Sequence, residues 1–112
     1  MAKTARTAPP TPPRRIAVLG AGSWGTTFAK ILADGGSDVV LWARRPELAR
    51  EINEVKRNSD YLEGINLPRN LRATSKLGEA MRDAEVVFVS IPSQTLRDNL
   101  EAIKPYLGPS TI

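Results

Sequence analysis

The sequence predicts an α/β fold in which a parallel sheet is flanked by helices. Unbroken apolar segments of four to eight residues alternate with segments whose apolar residues recur at helical spacing. Apolar segments without polar alternation are typical of strands covered on both faces, as in parallel sheets. The 112 residues allow one domain, and a 41% apolar and 25% charged composition is that of a globular protein.

The first half of the chain forms one strand–helix–strand unit of about thirty residues. Residues 16–19 are the first predicted strand, residues 23–34 the first helix and residues 39–42 the second strand. Gly35 and Gly36 end the helix. The apolar stripe at helical spacing on this helix comprises Trp24, Phe28, Ile31 and Leu32.

A second helix is predicted from Pro46 to about Arg57, followed by a loop over 58–70 that is rich in turn formers and suggests a binding loop. Residues 71–74 form a weak strand. Ser75 is expected to cap a short helix that runs to about Arg82. Its inward positions are Leu77, Ala80 and Met81.

The strongest strand is predicted over residues 84–91, where it leads through a turn at 92–95 into a last helix. Residues 110–112 resemble the start of a further strand, so the sheet is expected to be cut off at the beginning of strand five. The buried stripe of the last helix is expected to be Leu96, Leu100, Ile103 and Leu107.

Glycines at 20, 22 and 25 give the spacing GxGxxG between the first strand and the first helix. In a Rossmann-type fold the first glycine permits a tight turn, the second lets a pyrophosphate approach the backbone, and the third lets helix and strand pack closely. The helix start directs unpaired N–H groups and a positive dipole end at a phosphate. Ser23 lies at this helix start, where both its hydroxyl and its N–H are suited to bind phosphate.

The end of the second strand carries Arg44 and Arg45 and no carboxylate. An acidic residue at this place usually holds the ribose hydroxyls of NAD, whereas arginine accommodates the 2′-phosphate of NADP. The pair therefore favours NADPH over NADH. The alternative is that both arginines are solvated surface charges near a helix start.

Two further positions have two interpretations each. Trp24, between Gly22 and Gly25, is either a core residue or lies beside the phosphate path or the nicotinamide. Pro92 follows a predicted central strand, at the edge where ligands of open α/β sheets bind. It either forms a wall of the cofactor cleft or simply ends the strand.

Residues 1–14 are expected to be a disordered, basic, proline-rich leader ahead of a nucleotide-binding domain over 15–112. Four basic residues precede Ile16, and the rest of the chain has twelve basic and twelve acidic residues. The folded part is therefore formally neutral, so no nucleic-acid partner is expected. The alternative is a protein that binds nucleic acid through the leader.

The absence of cysteine and histidine excludes zinc sites of the usual kind and Ser-His or Cys-His catalysis within this chain. No apolar run suits a membrane span or a secretory signal, which suggests the cytoplasm.

Four segments together resemble the amino-terminal part of the NAD(P)-dependent sn-glycerol-3-phosphate dehydrogenases. They are GAGSWGTTFA, LWARRPE, INEVKRNSDYLEGINLPRNLRATSKL and VVFVSIPSQTLR. The long third segment is the most specific, since ketopantoate reductases and 6-phosphogluconate dehydrogenases are not expected to contain it. Glu63 departs from the family pattern, which has proline there. The resemblance implies cofactor contacts at Ser23, Trp24, Arg44, Arg45 and Tyr61, beside the glycine turn.

The resemblance also implies an activity, the reversible reduction of dihydroxyacetone phosphate to sn-glycerol 3-phosphate for glycerophospholipid synthesis, with NADPH preferred and NADH as the other cofactor. It implies a cytoplasmic enzyme, often a homodimer, whose catalytic lysine lies in a helical domain that these 112 residues do not contain. No catalytic residue is therefore assigned here, and the chain alone is expected to be inactive. A non-catalytic NAD(P)-sensing module with the same fold is the alternative.

Overall fold

The computed structural model describes residues 14–59, 64–91 and 93–107, with only the backbone for 93–96. Strands and helices alternate strictly along these residues. Their bounds are β1 Arg15–Leu19, α1 Ser23–Asp34, β2 Asp38–Trp42, α2 Pro46–Val55, β3 Leu71–Thr74, α3 Leu77–Met81, β4 Val86–Val89 and α4 Ser93–Ile103, after which a 3-10 turn spans Lys104–Tyr106. None of these helices is both long and apolar enough to cross a membrane.

The four strands form one parallel sheet in the order β3-β2-β1-β4. The predicted Rossmann-type parallel sheet is therefore confirmed, while residues 110–112 lie outside the described part of the chain. Since all strands run the same way, their carboxyl ends meet at one edge. The strand order reverses between β1 and β4, and open α/β sheets bind ligands at such a switch point.

Successive residues of β1 point to opposite faces of the sheet and enter separate cores. Ile16 and Val18 pack beneath α1 and α2, while Ala17 and Leu19 pack against α3 and the end of α4. All four are at most 4% exposed. Burial on both faces explains why these segments lack polar alternation.

The apolar stripe predicted for α1 is wrong at Trp24 and Ile31, whereas Leu32 packs against the core as predicted. The predicted bounds of the helix are confirmed. Trp24 is 81% exposed and Ile31 59% exposed, and Phe28 covers only the sheet margin through an edge-on contact with Phe88. The helix approaches β1 so closely that only small side chains fit between them. The buried positions are accordingly Gly25, Thr26, Ala29 and Ala33.

Three other predicted boundaries are wrong by one to three residues. Helix α2 ends at Val55 because Lys56 adopts a left-handed conformation with φ 58°. Helix α3 begins at Leu77 behind Lys76, so Ser75 is not its cap. Strand β4 covers only Val86–Val89, the part that pairs with β1. The predicted inward positions of α3 are confirmed for Ala80 and Met81, both buried, and Leu77 packs against the same core.

The last helix begins at Ser93, where a turn was predicted, and buries less of its stripe than expected. Ile103 is buried, but Leu100 and Leu107 are about half exposed. Leu107 leaves the stripe because the 3-10 turn before it rotates the chain. Helix α4 packs beside the edge strand β4, which leaves part of its apolar surface open to solvent.

Candidate functional site

A cavity of about 450 Å³ opens at the carboxyl edge of the sheet, where the strand order reverses. It lies over the ends of β1 and β2 and the residues that follow β4. The described residues of its walls combine glycine backbone, two arginines and apolar side chains, and none of them carries a carboxylate. The lining residues are Gly20, Ala21, Gly22, Trp42, Arg44, Arg45, Leu48 and Ile91.

Gly20 forms the sharp end of β1. Its φ of +119° is one that L side chains rarely adopt, and a Cβ there would lie 2.0 Å from the carbonyl oxygen of Ser90. The Gly20 N–H donates to the Trp42 carbonyl at 3.1 Å. The first glycine of the motif is thus required by the turn and by the close approach of the chain after β4.

Gly25 packs the first turn of α1 against the glycine turn. A Cβ at this position would lie 1.8 Å from the carbonyl oxygen of Gly20. The third glycine of the motif therefore allows the close helix–strand packing that the sequence predicted. It does not line the cavity.

Gly22 differs from both, because no contact among the described residues requires it to be glycine. Its φ is −72°, and a Cβ there would meet no described atom within 4 Å. The residue nevertheless lines the cavity. A side chain at this position would occupy space that the protein leaves open beside the backbone.

Gly22 is also the N-cap residue of α1, and no side chain caps this helix end. The first helical bond runs from the Thr26 N–H to the Gly22 carbonyl at 2.9 Å. The N–H groups before Thr26 are therefore not used within the helix. Ser23 and Trp24 occupy this first turn but do not line the cavity, and the exposure of Trp24 excludes the core interpretation.

The two arginines approach the cavity from the loop between β2 and α2. Both are exposed, and Arg45 is the N-cap residue of α2. The Arg45 guanidinium lies 3.7 Å from the carboxylate of Glu47, which partly balances its charge. The structure thus brings both arginines to the glycine turn, at the end of the cavity where β2 stops.

A buried polar cluster behind the glycine turn escaped the sequence predictions. Asn58 and Thr26 are 0% exposed and are the two buried polar side chains in the described part of the chain. The Asn58 amide nitrogen donates to the Ala21 carbonyl at 2.9 Å and to the Thr26 hydroxyl at 2.8 Å. The Thr26 hydroxyl in turn donates to the same Ala21 carbonyl at 3.2 Å.

Within the part of the chain that the structure describes, the Oδ1 atom of Asn58 is buried and has no hydrogen-bond partner. An unpaired buried acceptor costs about 1–3 kcal/mol, comparable to what the two bonds from the amide nitrogen contribute. The amide orientation is fixed nonetheless, because the Ala21 carbonyl can only accept a hydrogen bond. The cluster therefore favours a defined backbone orientation at Ala21 rather than large net stability.

Three lining residues were not among the predicted site residues, namely Ala21, Trp42 and Leu48. Trp42 is held in place by a bond from its indole nitrogen to the Ser75 carbonyl at 3.1 Å. Ala21 lies two residues after β1, Trp42 is the last residue of β2 and Leu48 lies in the first turn of α2. These positions at the carboxyl edge of the sheet are the signal that would have found them. Two predicted residues, Tyr61 and Pro92, lie outside the described residues.

A second cavity of about 390 Å³ lies beside the edge strand β3 and contains none of the predicted site residues. The Lys56 ammonium group in its wall donates to the Leu71 carbonyl at 2.8 Å. Burial, and secondarily the positive charge of Arg72, lowers the pKa of Lys56 below its ordinary value. A lysine whose charged form is disfavoured in the folded state makes stability depend on pH.

The sheet order, the glycine turn and the helix that starts from it define a Rossmann-type nucleotide-binding domain. Residues 15–112 match the family model described as NAD-dependent glycerol-3-phosphate dehydrogenase N-terminus. The chain therefore belongs to the glycerol-3-phosphate dehydrogenase family and corresponds to its amino-terminal domain, which confirms the resemblance.

Individual relatives agree with this assignment. The chain is 81% identical over 95 residues to a glycerol-3-phosphate dehydrogenase [NAD(P)+] of Leifsonia xyli, which covers 85% of this chain and 26% of the relative. Identity to the protein of the same name from Streptomyces avermitilis is 53% over 100 residues, or 89% of this chain and 30% of the relative. The crystal structure of glycerol-3-phosphate dehydrogenase from Coxiella burnetii superimposes with a TM-score of 0.83 at 30% identity, covering 88% of this chain and 30% of that one.

The 112 residues thus span less than a third of the length of these relatives. The shared part is the domain that carries the glycine turn.

Proposed function

We propose that the chain is the cofactor-binding part of an oxidoreductase that interconverts dihydroxyacetone phosphate and sn-glycerol 3-phosphate with NADPH or NADH. Relatives that match most of the chain are named glycerol-3-phosphate dehydrogenase [NAD(P)+], which supports this reaction and these cofactors. When bound, the nicotinamide supplies or accepts the hydride. The residues of this chain would bind and orient the dinucleotide.

The observation that carries the proposal is the open space at Gly22. Gly20 and Gly25 are explained by contacts within the protein, because a Cβ atom added there would lie 2.0 and 1.8 Å from the nearest backbone oxygens. Gly22 has no such contact, yet it lines the cavity at the start of α1. A pyrophosphate that must approach the backbone closely accounts for a glycine here, since any side chain would hold it away.

The arginines support NADPH as the preferred cofactor. A 2′-phosphate is recognised by charge-assisted bonds, which are stronger than those between neutral groups. Because Glu47 lies close to Arg45, we expect Arg44 to contribute more of this preference. Among the described residues that line the cavity, none is a carboxylate that would select the free ribose hydroxyls of NADH.

The remaining predicted contacts belong to the same proposal. We assign Ser23 to a phosphate group at the helix start, Trp24 and Tyr61 to the cofactor surface, and Pro92 to the wall of the cleft beside Ile91. We further propose that the full enzyme serves glycerophospholipid synthesis, is located in the cytoplasm and forms a homodimer. Residues 1–14 are proposed to be a disordered leader ahead of the domain.

The test is calorimetric titration of the chain with NADPH and NADH, together with the variant Gly22→Val. The variant places a branched side chain in the open space, so we expect it to keep the melting temperature within a few degrees and to bind at least about tenfold more weakly. Gly35→Ala is the matched control, because it adds a Cβ at the other end of α1, 3.4 Å from the Leu32 carbonyl oxygen. We expect this control to bind normally.

Equal affinity of Gly22→Val and the unmutated chain would overturn the assignment of the cavity. A folded chain that binds neither dinucleotide would overturn the proposed cofactor site itself.

A further inference from the structure

Asn58, three residues after the end of α2, is hydrogen-bonded to the glycine turn. Asn58 is separated from Ala21 by 37 residues, yet its amide nitrogen lies 2.9 Å from the Ala21 carbonyl oxygen. Both Asn58 and Thr26 are 0% exposed, so this contact is not screened by water.

A peptide group is planar and trans, so its carbonyl and the following N–H point in opposite directions. The Ala21 carbonyl accepts from two buried donors, the Asn58 amide and the Thr26 hydroxyl. Holding this carbonyl toward the interior turns the N–H of Gly22 away from the interior. Ala21 and Gly22 both line the cavity, so that N–H is directed at the ligand space.

We infer that Asn58 is a positioning residue for dinucleotide binding, which holds the Ala21–Gly22 peptide so that the Gly22 N–H is aimed at the pyrophosphate. Thr26 assists as acceptor for Asn58 and donor to Ala21. The inference rests on the proposed cofactor site, but it concerns a residue that does not line that site.

The chain contains a matched control at the other end of α1. The Asn70 amide nitrogen donates to two backbone carbonyls, of Ala33 and Ser37, each at 2.7 Å. This asparagine makes the same kind of double contact as Asn58, at the opposite end of the helix and away from the cavity. The variants Asn58→Leu and Asn70→Leu therefore remove similar hydrogen bonds at different places.

The experiment measures two quantities on each variant, the dissociation constant for NADPH and the orientation of the Gly22 N–H bond, which residual dipolar couplings report. For Asn58→Leu we expect dinucleotide affinity to fall by about tenfold and the Gly22 N–H bond to change its orientation relative to the N–H bonds of β1. Asn70→Leu should change the affinity by less than about twofold and leave that orientation as it is in the unmutated chain, even where it lowers the melting temperature equally. Adenosine 2′-monophosphate, which has no 5′-phosphate, should bind Asn58→Leu and the unmutated chain alike.

Thr26 provides a second pair of variants in case Asn58→Leu does not fold. Thr26→Val keeps the shape of the side chain and removes the hydroxyl, so it should weaken NADPH binding in the same direction. Thr26→Ser keeps the hydroxyl and should restore binding.

The positioning role is overturned if the Asn58 and Asn70 variants lose NADPH affinity equally, or if Thr26→Val binds as Thr26→Ser does. If the unmutated chain binds no dinucleotide, the proposed cofactor site fails. The positioning role is then decided by the orientation of the Gly22 N–H bond alone. A change in Asn58→Leu that is absent from Asn70→Leu supports the role, and no difference between the two variants contradicts it.

Discussion

A Cβ atom on Gly25 would lie 1.8 Å from the carbonyl oxygen of Gly20. The first turn of α1 therefore rests directly on the backbone of the glycine turn. Any side chain at position 25 would have to move one of these two backbones, and both are tied to the sheet or the helix.

The substitution Gly25→Ala should accordingly destabilise the fold by about 3 kcal/mol or more, since overpacking against backbone is not relieved by a rotamer change. Chemical unfolding followed by circular dichroism measures the effect. Gly22→Ala is the control, because its Cβ meets no described atom within 4 Å and should change stability by less than about 1 kcal/mol. A Gly25→Ala protein as stable as this control would contradict the close packing.

Arg44 and Arg45 should set the choice between NADPH and NADH. Replacing Arg44 by alanine removes a charged donor from the cavity wall, and we expect the NADPH affinity to fall by about tenfold or more while the NADH affinity changes little. Arg45→Ala should have a smaller effect because Glu47 already lies near that guanidinium. Calorimetric titrations of each variant with NADPH and with NADH, at low and high salt, give the ratio of the two affinities. Equal affinities of the unmutated chain for both cofactors would contradict the preference.

One carboxylate at the amino edge of the sheet joins three strands. Asp38 on β2 lies 3.3 Å from Arg15 of β1 and 3.3 Å from Arg72 of β3. Its side chain is 42% exposed, so we expect Asp38→Asn to cost no more than about 1 kcal/mol, and less in 1 M salt. Asp34→Asn, which breaks the single pair with Lys30, is the control and should cost less.

Denaturant unfolding at two salt concentrations measures the cost of the Asp38 substitution. A loss that is larger than about 2 kcal/mol, or that persists in 1 M salt, would show that the contribution of Asp38 is not a screened surface interaction.

Lys56 should make the stability rise with pH in the alkaline range. Its pKa is lowered in the folded chain, first by burial and then by Arg72, so the unfolded chain holds more protons between that lowered pKa and the ordinary value of 10.5. Stability then increases as pH rises through this window, and the penalty is fully present below it. Unfolding measured across this range should show the rise.

Lys56→Met should abolish that rise, because it removes the titrating group while keeping an unbranched chain of similar length. Lys76→Met, at an exposed position, should leave the rise in place. An unchanged slope in Lys56→Met would assign the pH dependence to another group.

The 112-residue chain should bind cofactor without catalysing the reaction. Hydride transfer needs a substrate held against the nicotinamide and an acid for the developing alkoxide. The chain spans 26–30% of the relatives' length, and no catalytic residue is assigned to it. Oxidation of NADPH by dihydroxyacetone phosphate, followed at 340 nm, should match the blank without protein, whereas turnover of about 1 per second or faster would contradict this.

The order of the strands and helices and the structural roles of Gly20 and Gly25 could be predicted from the sequence. Unbroken apolar segments and helix-ending residues are local signals, so the bounds of α1 and the parallel sheet were predicted correctly. The roles of Gly20 and Gly25 follow from a known spacing, and their contacts with Ser90 and with each other agree with it.

Features that depend on distant contacts were missed. Helical spacing alone placed Trp24 and Ile31 toward the core, but the close approach at Gly25 leaves room only for small side chains such as Ala29. Asn58 was treated as the start of a loop, because its bond to Ala21 joins residues 37 positions apart and has no local signature.

The parallel sheet has a consequence for how sequences of this family can change. The ion pairs of Asp38 lie where the strands begin, and the cavity lies where they end, roughly 16 Å away for a five-residue strand. Substitutions that adapt the domain to a new temperature or salinity can accumulate at the first edge without disturbing ligand selectivity at the second. If the proposed cofactor site holds, we expect selection on environment and selection on cofactor choice to act on separate sets of residues.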